Sequence, residues 1–218
     1  MALGEYIGAG SGVTKLLLHL NGNSNDSSGN GNNGTDTNIS YSNDYGKFGQ
    51  GARFSNSIIK VPNLGVSGTS ARTYSVWSKI NDITAQNDLI YNGSWTIDGR
   101  GIDLLIWSTN PGALVLFMLS TRFYTANSLI SQGIWYNFIF TFDGGATSTT
   151  SNVSLYINGE KQAISKSGKG NINTDNSGYY IGNNTSRADI DEVIIENRAW
   201  TAVEVRKYYT MAKGRFGI

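Results

Sequence analysis

The sequence predicts an all-β fold: one sandwich of two antiparallel sheets, finished by a short C-terminal helix. Three observations predict it. Residues 133–160 carry the aromatic and β-branched run Trp135-Tyr136-Asn137-Phe138-Ile139-Phe140-Thr141-Phe142-Asp143-Gly144. A shorter strand then ends on Asn158-Gly159, a dipeptide that holds positive φ at both centres of a tight type I′ hairpin. Gly occurs 27 times against two Pro, which suits many tight turns. Short apolar stretches alternate with polar ones along the chain, and only the C-terminal segment has helical spacing.

Taken in order, residues 1–13 are small and Gly-rich, an expected flexible or docking arm ahead of a single domain over 14–218. Lys15 to Asn21 reads as a buried strand. Gly22 to Gly34 is Asn, Ser and Gly apart from Asp26; it cannot bury a core and reads as loop, either a linker or an ion-coordinating loop. Ala52 to Phe54 and Ile58 to Val61 are short strands. Thr73 to Ile80 alternates small polar with larger residues, which predicts one solvated face. Arg72 and Ser78 there read as a surface contact or an exposed edge. Asp88 to Tyr91 is expected to turn at Asn92-Gly93.

From Gly101 to Leu119 the chain is apolar enough to raise the question of a membrane span. Ser108 to Gly112 divides it into pieces too short to cross a bilayer, so it predicts a hairpin. Tyr179 to Gly182 and Ile190 to Glu196 are the last strands. Thr201-Ala202-Val203-Glu204 fits a capping box, in which hydroxyl and carboxylate each take a free backbone N–H. Val205, Tyr208 and Tyr209 then form a short apolar stripe. About a dozen strands are expected.

Composition narrows function. Apolar residues are 39% of the chain, enough for one sandwich core. Charged residues are 15%, so Asn, Ser, Thr and Gly must cover the surface. A net charge of +1, with scattered basic residues, argues against nucleic acid and anionic lipid. There is no cysteine, hence no disulfide and no thiolate metal site. Met1 to Gly8 lacks a basic region and an apolar core, so no signal peptide is expected. The expected location is a virion surface if a phage encodes the chain, and otherwise the cytoplasm or non-classical export.

With these segments assembled, the chain resembles the laminin-G-like members of the concanavalin A-like lectin and glucanase superfamily. The resemblance rests on an ordered series. It includes the loop Asp26-Ser27-Ser28-Gly29-Asn30-Gly31, then Phe48-Gly49-Gln50-Gly51-Ala52-Arg53-Phe54, and the strand containing Trp77. Gly133, Trp135 and Phe142-Asp143-Gly144 follow, and Ile190-Asp191-Glu192-Val193 with Asn197-Arg198-Ala199 closes it. Tyr136 and Asn137 stand where relatives often carry His. The resemblance spans about residues 14–210. It implies a jelly-roll sandwich and, by analogy, a structural Ca2+ held by Asp26, Asn30 and Asp191 with nearby carbonyls. The alternative is that Asp26 caps a turn and Asp191 binds backbone N–H groups.

Some members of that superfamily hydrolyse glucans with carboxylates on one strand. Glu192 and Glu196 are four residues apart, about 13 Å in a strand, with Ile194 between them. Glycosidases need roughly 5 Å or roughly 6.5–9.5 Å. The acidic groups therefore read as too dispersed for an enzyme. His19, alone in an apolar strand, reads as packed or hydrogen-bonded rather than catalytic. Sugar binding would use loop aromatics beside amides, with Trp95, Trp107 and Tyr124 as candidates and Asn110 and Asn127 as polar neighbours. Simple packing is the alternative for each. Trp77 and Trp135 read as core, and Trp200 as packing under the helix.

The expected function is a non-catalytic lectin-like module displayed on a larger assembly such as a phage virion. A soluble carbohydrate-binding module is the runner-up and a glycoside hydrolase the third reading. Expected partners are a glycan or protein surface, viral capsid or tail proteins, and further copies of the chain.

Overall fold

The computed structural model describes residues 12–94, 97–109 and 111–214. In chain order its strands are β1 (Thr14–Leu18), β2 (Thr35–Thr37), β3 (Ser40–Ser42), β4 (Gly51–Ser55), β5 (Ile58–Val61) and β6 (Arg72–Ile80). Then come β7 (Asn87–Gly93), β8 (Gly101–Ile106), β9 (Leu114–Phe117), β10 (Arg122–Tyr124), β11 (Trp135–Phe142) and β12 (Val153–Ile157). The last are β13 (Glu160–Lys161), β14 (Ser165–Ser167), β15 (Tyr179–Ile181) and β16 (Arg187–Glu196), followed by helix α1 (Ala202–Gly214).

They form two antiparallel sheets. The first runs β13-β12-β11-β6-β16-β4-β3, with β1 also paired to β16; the second runs β14-β10-β9-β8-β7-β15-β5-β2. One apolar core fills the space between them: Tyr74, Val76, Phe138, Phe140 and Val193 from the first sheet meet Ile59, Leu104, Leu116, Phe123 and Tyr179 from the second. The hairpin forms as its sequence requires. Asn158 and Gly159 have φ of 52° and 81°, and Ile157 pairs with Glu160 across them.

Helix α1 lies on the outer face of the first sheet. The capping box is present: Thr201 N–H donates to Glu204 Oε2 at 2.8 Å, and Glu204 N–H donates to Thr201 Oγ1 at 3.3 Å. Val205 and Tyr208 face inward against Leu17, Ile139, Tyr156, Ile194 and Trp200. Trp77, Phe48 and Ala212 make a neighbouring cluster, with Trp135 and Tyr209 partly buried against it. Trp200 is thus under the helix as expected, but Trp77 and Trp135 sit beneath α1 rather than in the main core.

Three expectations need correction. The β6 strand has no solvated face, because β11 and β16 flank it and α1 covers its outer side. Arg72 and Ser78 lie on the same side of β6 as Tyr74 and Val76, and are buried on its inner face. Arg72 donates to three carbonyls and to Thr174 Oγ1, so its cation is met by neutral acceptors. Asn92-Gly93 belongs to β7, and the connection to β8 follows it. Gly101 to Phe117 is the expected hairpin, and no helix among the described residues is long and apolar enough to cross a membrane.

Candidate functional site

Among the described residues no helix lies over the outer face of the second sheet. Strand pairing draws one row of directly opposed residues across all eight strands: Thr35, Lys60, Tyr180, Tyr91, Asp103, Phe117, Arg122 and Ser167. Residues opposed in an antiparallel pair project to the same face. Their neighbours Ile59, Tyr179, Ile181, Ile102, Leu104, Leu116 and Phe123 all enter the core, so the row points outward. From Lys60 to Arg122 it crosses five strand spacings, about 24 Å.

At its centre the Tyr91 and Tyr180 rings stack at 4.7 Å with 12° between planes. Beside them is a depression of about 290 Å3 lined by Gln86, Asp88, Tyr91, Asp103, Phe117 and Asn183. A second, of about 530 Å3, continues on the far side of Tyr91 along Lys60, Tyr180 and Thr37. Half-buried rings next to convergent polar groups are the makings of an oligosaccharide site.

Asp88 and Asp103 meet at the base of the first depression. A bulge between Asp88 and Ile90 puts Asp88 on the same sheet face as Tyr91, three residues further on. Asp88 accepts from Gln86 Nε2 at 2.8 Å and from Asn183 Nδ2. Asp103 is 3% exposed and its Oδ1 has no hydrogen-bond partner among the described residues. Burial first, and then the Asp88 carboxylate, push the Asp103 pKa well above the carboxylate range. Of the two carboxyls, Asp103 is the one whose protonated form is favoured, hydrogen-bonded to Asp88. The sequence reading, which weighed only the acidic strand ending at Glu196, did not foresee this pair. The pair is nonetheless no glycosidase dyad, since two mutually hydrogen-bonded carboxyls leave no room for a glycosidic bond or a water between them.

Of the residues singled out from sequence, Trp107 and Tyr124 lie on this face. The Trp107 ring is 5.8 Å from that of Phe117, and the Arg122 guanidinium sits 4.6 Å from the Trp107 centroid and 5.8 Å from that of Tyr124. Asn127 is exposed in a turn whose next residue, Ser128, donates to Pro111 O, at the tip of the β8–β9 hairpin. Trp95 and Asn110 lie outside the described residues.

The proposed ion ligands are engaged elsewhere. Asp26 accepts from Leu17, Ser28 and Asn32 N–H groups and from Ser28 Oγ, so all of its roughly four acceptor sites are filled. Asn30 turns its amide N–H2 toward Thr14 O and Ser28 Oγ. Asp191 accepts from Lys47, Phe48 and Glu192 N–H groups. Asp26, Asn30 and Asp191 are thus each hydrogen-bonded within the chain, and among the described residues no three of His, Cys, Asp and Glu group so as to hold a metal ion. His19 Nδ1 pairs with Glu192 Oε1 at 2.8 Å, where a bulge gives Glu192 a φ of 49°. Glu196 is closed in by Thr14, Trp200 and Arg198.

Sequence reasoning missed Tyr91, Tyr180, Asp88, Asp103, Phe117, Arg122 and Lys60 as a group. One signal was available: Asp103 interrupts the apolar run Gly101-Ile102-Asp103-Leu104-Leu105, where an ionisable residue is out of place.

Two antiparallel sheets around one core, one face capped by the chain's own helix and the other open, define a concanavalin A-like sandwich. The laminin-G-like family model described as the concanavalin A-like lectin/glucanases superfamily matches residues 53–206, and the chain belongs to that family. Residues 14–52, with the first loop, lie ahead of the matched stretch. No match is found among curated protein sequences.

Similar solved structures include domain 4 of AbnA, a GH43 extracellular arabinanase of Geobacillus stearothermophilus, in complex with arabinotriose. Its TM-score is 0.69 at 23% identity, over 90% of this chain and 98% of that one. The binding domain of Paraclostridial Mosquitocidal Protein 1 has a TM-score of 0.68 at 20% identity, over 98% of this chain and 54% of that one. The botulinum neurotoxin serotype G binding domain gives 0.64 at 16%, over 92% and 51%. The chain spans about half the length of the two toxin domains.

Proposed function

We propose that the chain is a non-catalytic carbohydrate-binding module whose ligand lies across the outer face of the second sheet. One observation carries this reading: the register-aligned row that sets the Tyr91–Tyr180 stack beside the Asp88–Asp103 pair in an open depression. Rings offer apolar faces to sugar C–H groups, and carboxyl and amide groups bind hydroxyls. That the arabinanase domain of the same fold is seen with arabinotriose supports an oligosaccharide as the kind of ligand.

An oligosaccharide array, with arabinotriose among the probes, tests it. Tyr91→Ala and Tyr180→Ala are expected to abolish binding while the protein stays folded by circular dichroism. Binding indifferent to both substitutions overturns the site. Release of reducing ends that disappears in Asp103→Asn overturns the non-catalytic reading.

Display on a larger assembly such as a phage virion is the finer form of this proposal. A near-neutral chain with few charged residues supports it. Co-purification with particles, and a gel-filtration size above that of the monomer, are the results expected of it.

A further inference from the structure

The row is electrically uneven. Lys60 and Arg122 stand one strand in from its two ends, and neither has an ion-pair partner among the described residues. The carboxyl pair between them holds one proton, so it contributes a single negative charge. Asp103 is one strand further from Arg122 than Phe117 is, about 10 Å across two strand spacings.

The two cations differ in preparation. Lys60 is exposed on a flexible stem. Arg122 is held between the Trp107 and Tyr124 rings, and its Nε is buried with no hydrogen-bond partner among the described residues. Its register neighbours, Phe117 and Ser167, offer no carboxylate. A planar fork of donors fixed by stacking has little rotamer freedom left to lose, and it matches the two oxygens of a carboxylate.

We propose that Arg122, framed by Trp107 and Tyr124, is a carboxylate subsite, so that the ligand is an oligosaccharide with an acidic sugar at the β10 end and a neutral sugar over Tyr91 and Tyr180. This rests on the glycan reading of the same face. The acidic sugar presents its carboxylate to Arg122 at the Trp107 and Tyr124 end of the row. Asp88 repels a second carboxylate at mid-row, which sets the order of the sugars.

The experiment is an array bearing each oligosaccharide backbone in neutral (methyl-ester), carboxylate and sulfate forms, read with the wild-type chain and three variants. Carboxylate forms are expected to bind best. Arg122→Gln is expected to weaken them about tenfold or more, the usual effect of losing a charge-assisted bond, and to leave the neutral forms where they were. Ser167→Asp, which places an acid opposite Arg122 in the β10–β14 pair, is expected to weaken the same ligands without removing the guanidinium, so a folding defect in the first variant cannot mimic the result. Tyr91→Ala is expected to lose every ligand. If neutral or sulfate forms bind as well as the carboxylates, or Arg122→Gln changes nothing while Tyr91→Ala abolishes binding, the acidic subsite is overturned and the glycan site stands. If no ligand depends on Tyr91, the glycan site falls and this inference with it.

Discussion

The two sheets have the same number of strands, the same antiparallel pairing and a shared core, yet their outer faces differ. On the first sheet, Trp77, Ile139, Tyr156 and Ile194 are buried because Trp200 and the inward face of α1 cover them. On the second, Tyr91, Phe117, Trp107, Tyr124 and Tyr180 stay half-exposed, with charged residues among them. Aromatic content does not distinguish the faces. What distinguishes them is whether the chain itself supplies the covering element. A face closed by its own helix contributes stability, whereas a face left open can give its apolar area to a ligand.

The comparison breaks if aromatic residues on the two faces respond alike. Trp200→Ala on the covered face is expected to cost about 3–5 kcal/mol in urea denaturation, because it removes a buried ring and leaves Glu196 Oε2 without its 2.7 Å indole donor.

The pH dependence sharpens the contrast. Asp103 has a folded pKa above its unfolded value, so its contribution is full below about pH 4 and is lost as the pH rises toward the folded value. Asp191, pushed up to about 7 by burial and by Glu192 beside it, gives a slope of the same sign on the covered face. The readout is therefore a difference: Asp103→Asn should fall less in stability than the wild type as the pH is raised, with Asp191 still present in both. Equal slopes would mean that the proton on Asp103 has been misplaced.

Smaller effects follow. Thr201→Ala removes one half of the capping box and should lower stability by about 1 kcal/mol, measured by thermal melting, with glycan binding unaffected. Tyr91→Ala, on the open face, should change stability by no more than about 1 kcal/mol although it removes binding. A loss as large as that of Trp200→Ala would place Tyr91 with the structural aromatics. Smallest of all, EDTA is expected to leave the melting temperature unchanged, since the Asp26 acceptor sites are already filled. A rise on adding CaCl2 would put an ion in the first loop.

Much of the fold was legible along the chain. Asn158-Gly159 announced its hairpin, Thr201 to Glu204 its helix start, and Ser108 to Gly112 the turn of a hairpin, because each is a local rule acting over a few residues. The face of β6 was misread for the opposite reason. Alternation of Ser75, Trp77 and Lys79 says only that one side is less apolar, and covering by a helix from the far end of the chain is a long-range event. The site was partly legible: Trp107 and Tyr124 were singled out, but as loop aromatics rather than as residues of one sheet face.

By itself the sequence determined the sandwich class, the strand and turn positions and the C-terminal helix, since these follow from side-chain period, turn chemistry and capping. Only the tertiary structure decided which side chains stand in line. Tyr180, Tyr91, Asp103 and Arg122 come from separate strands, and their alignment depends on pairing register. The Asp88–Asp103 meeting depends further on one bulged residue. Slipping a strand by a single position turns every side chain on it to the other face, so register, which distant pairings set, is what makes a binding row out of scattered residues.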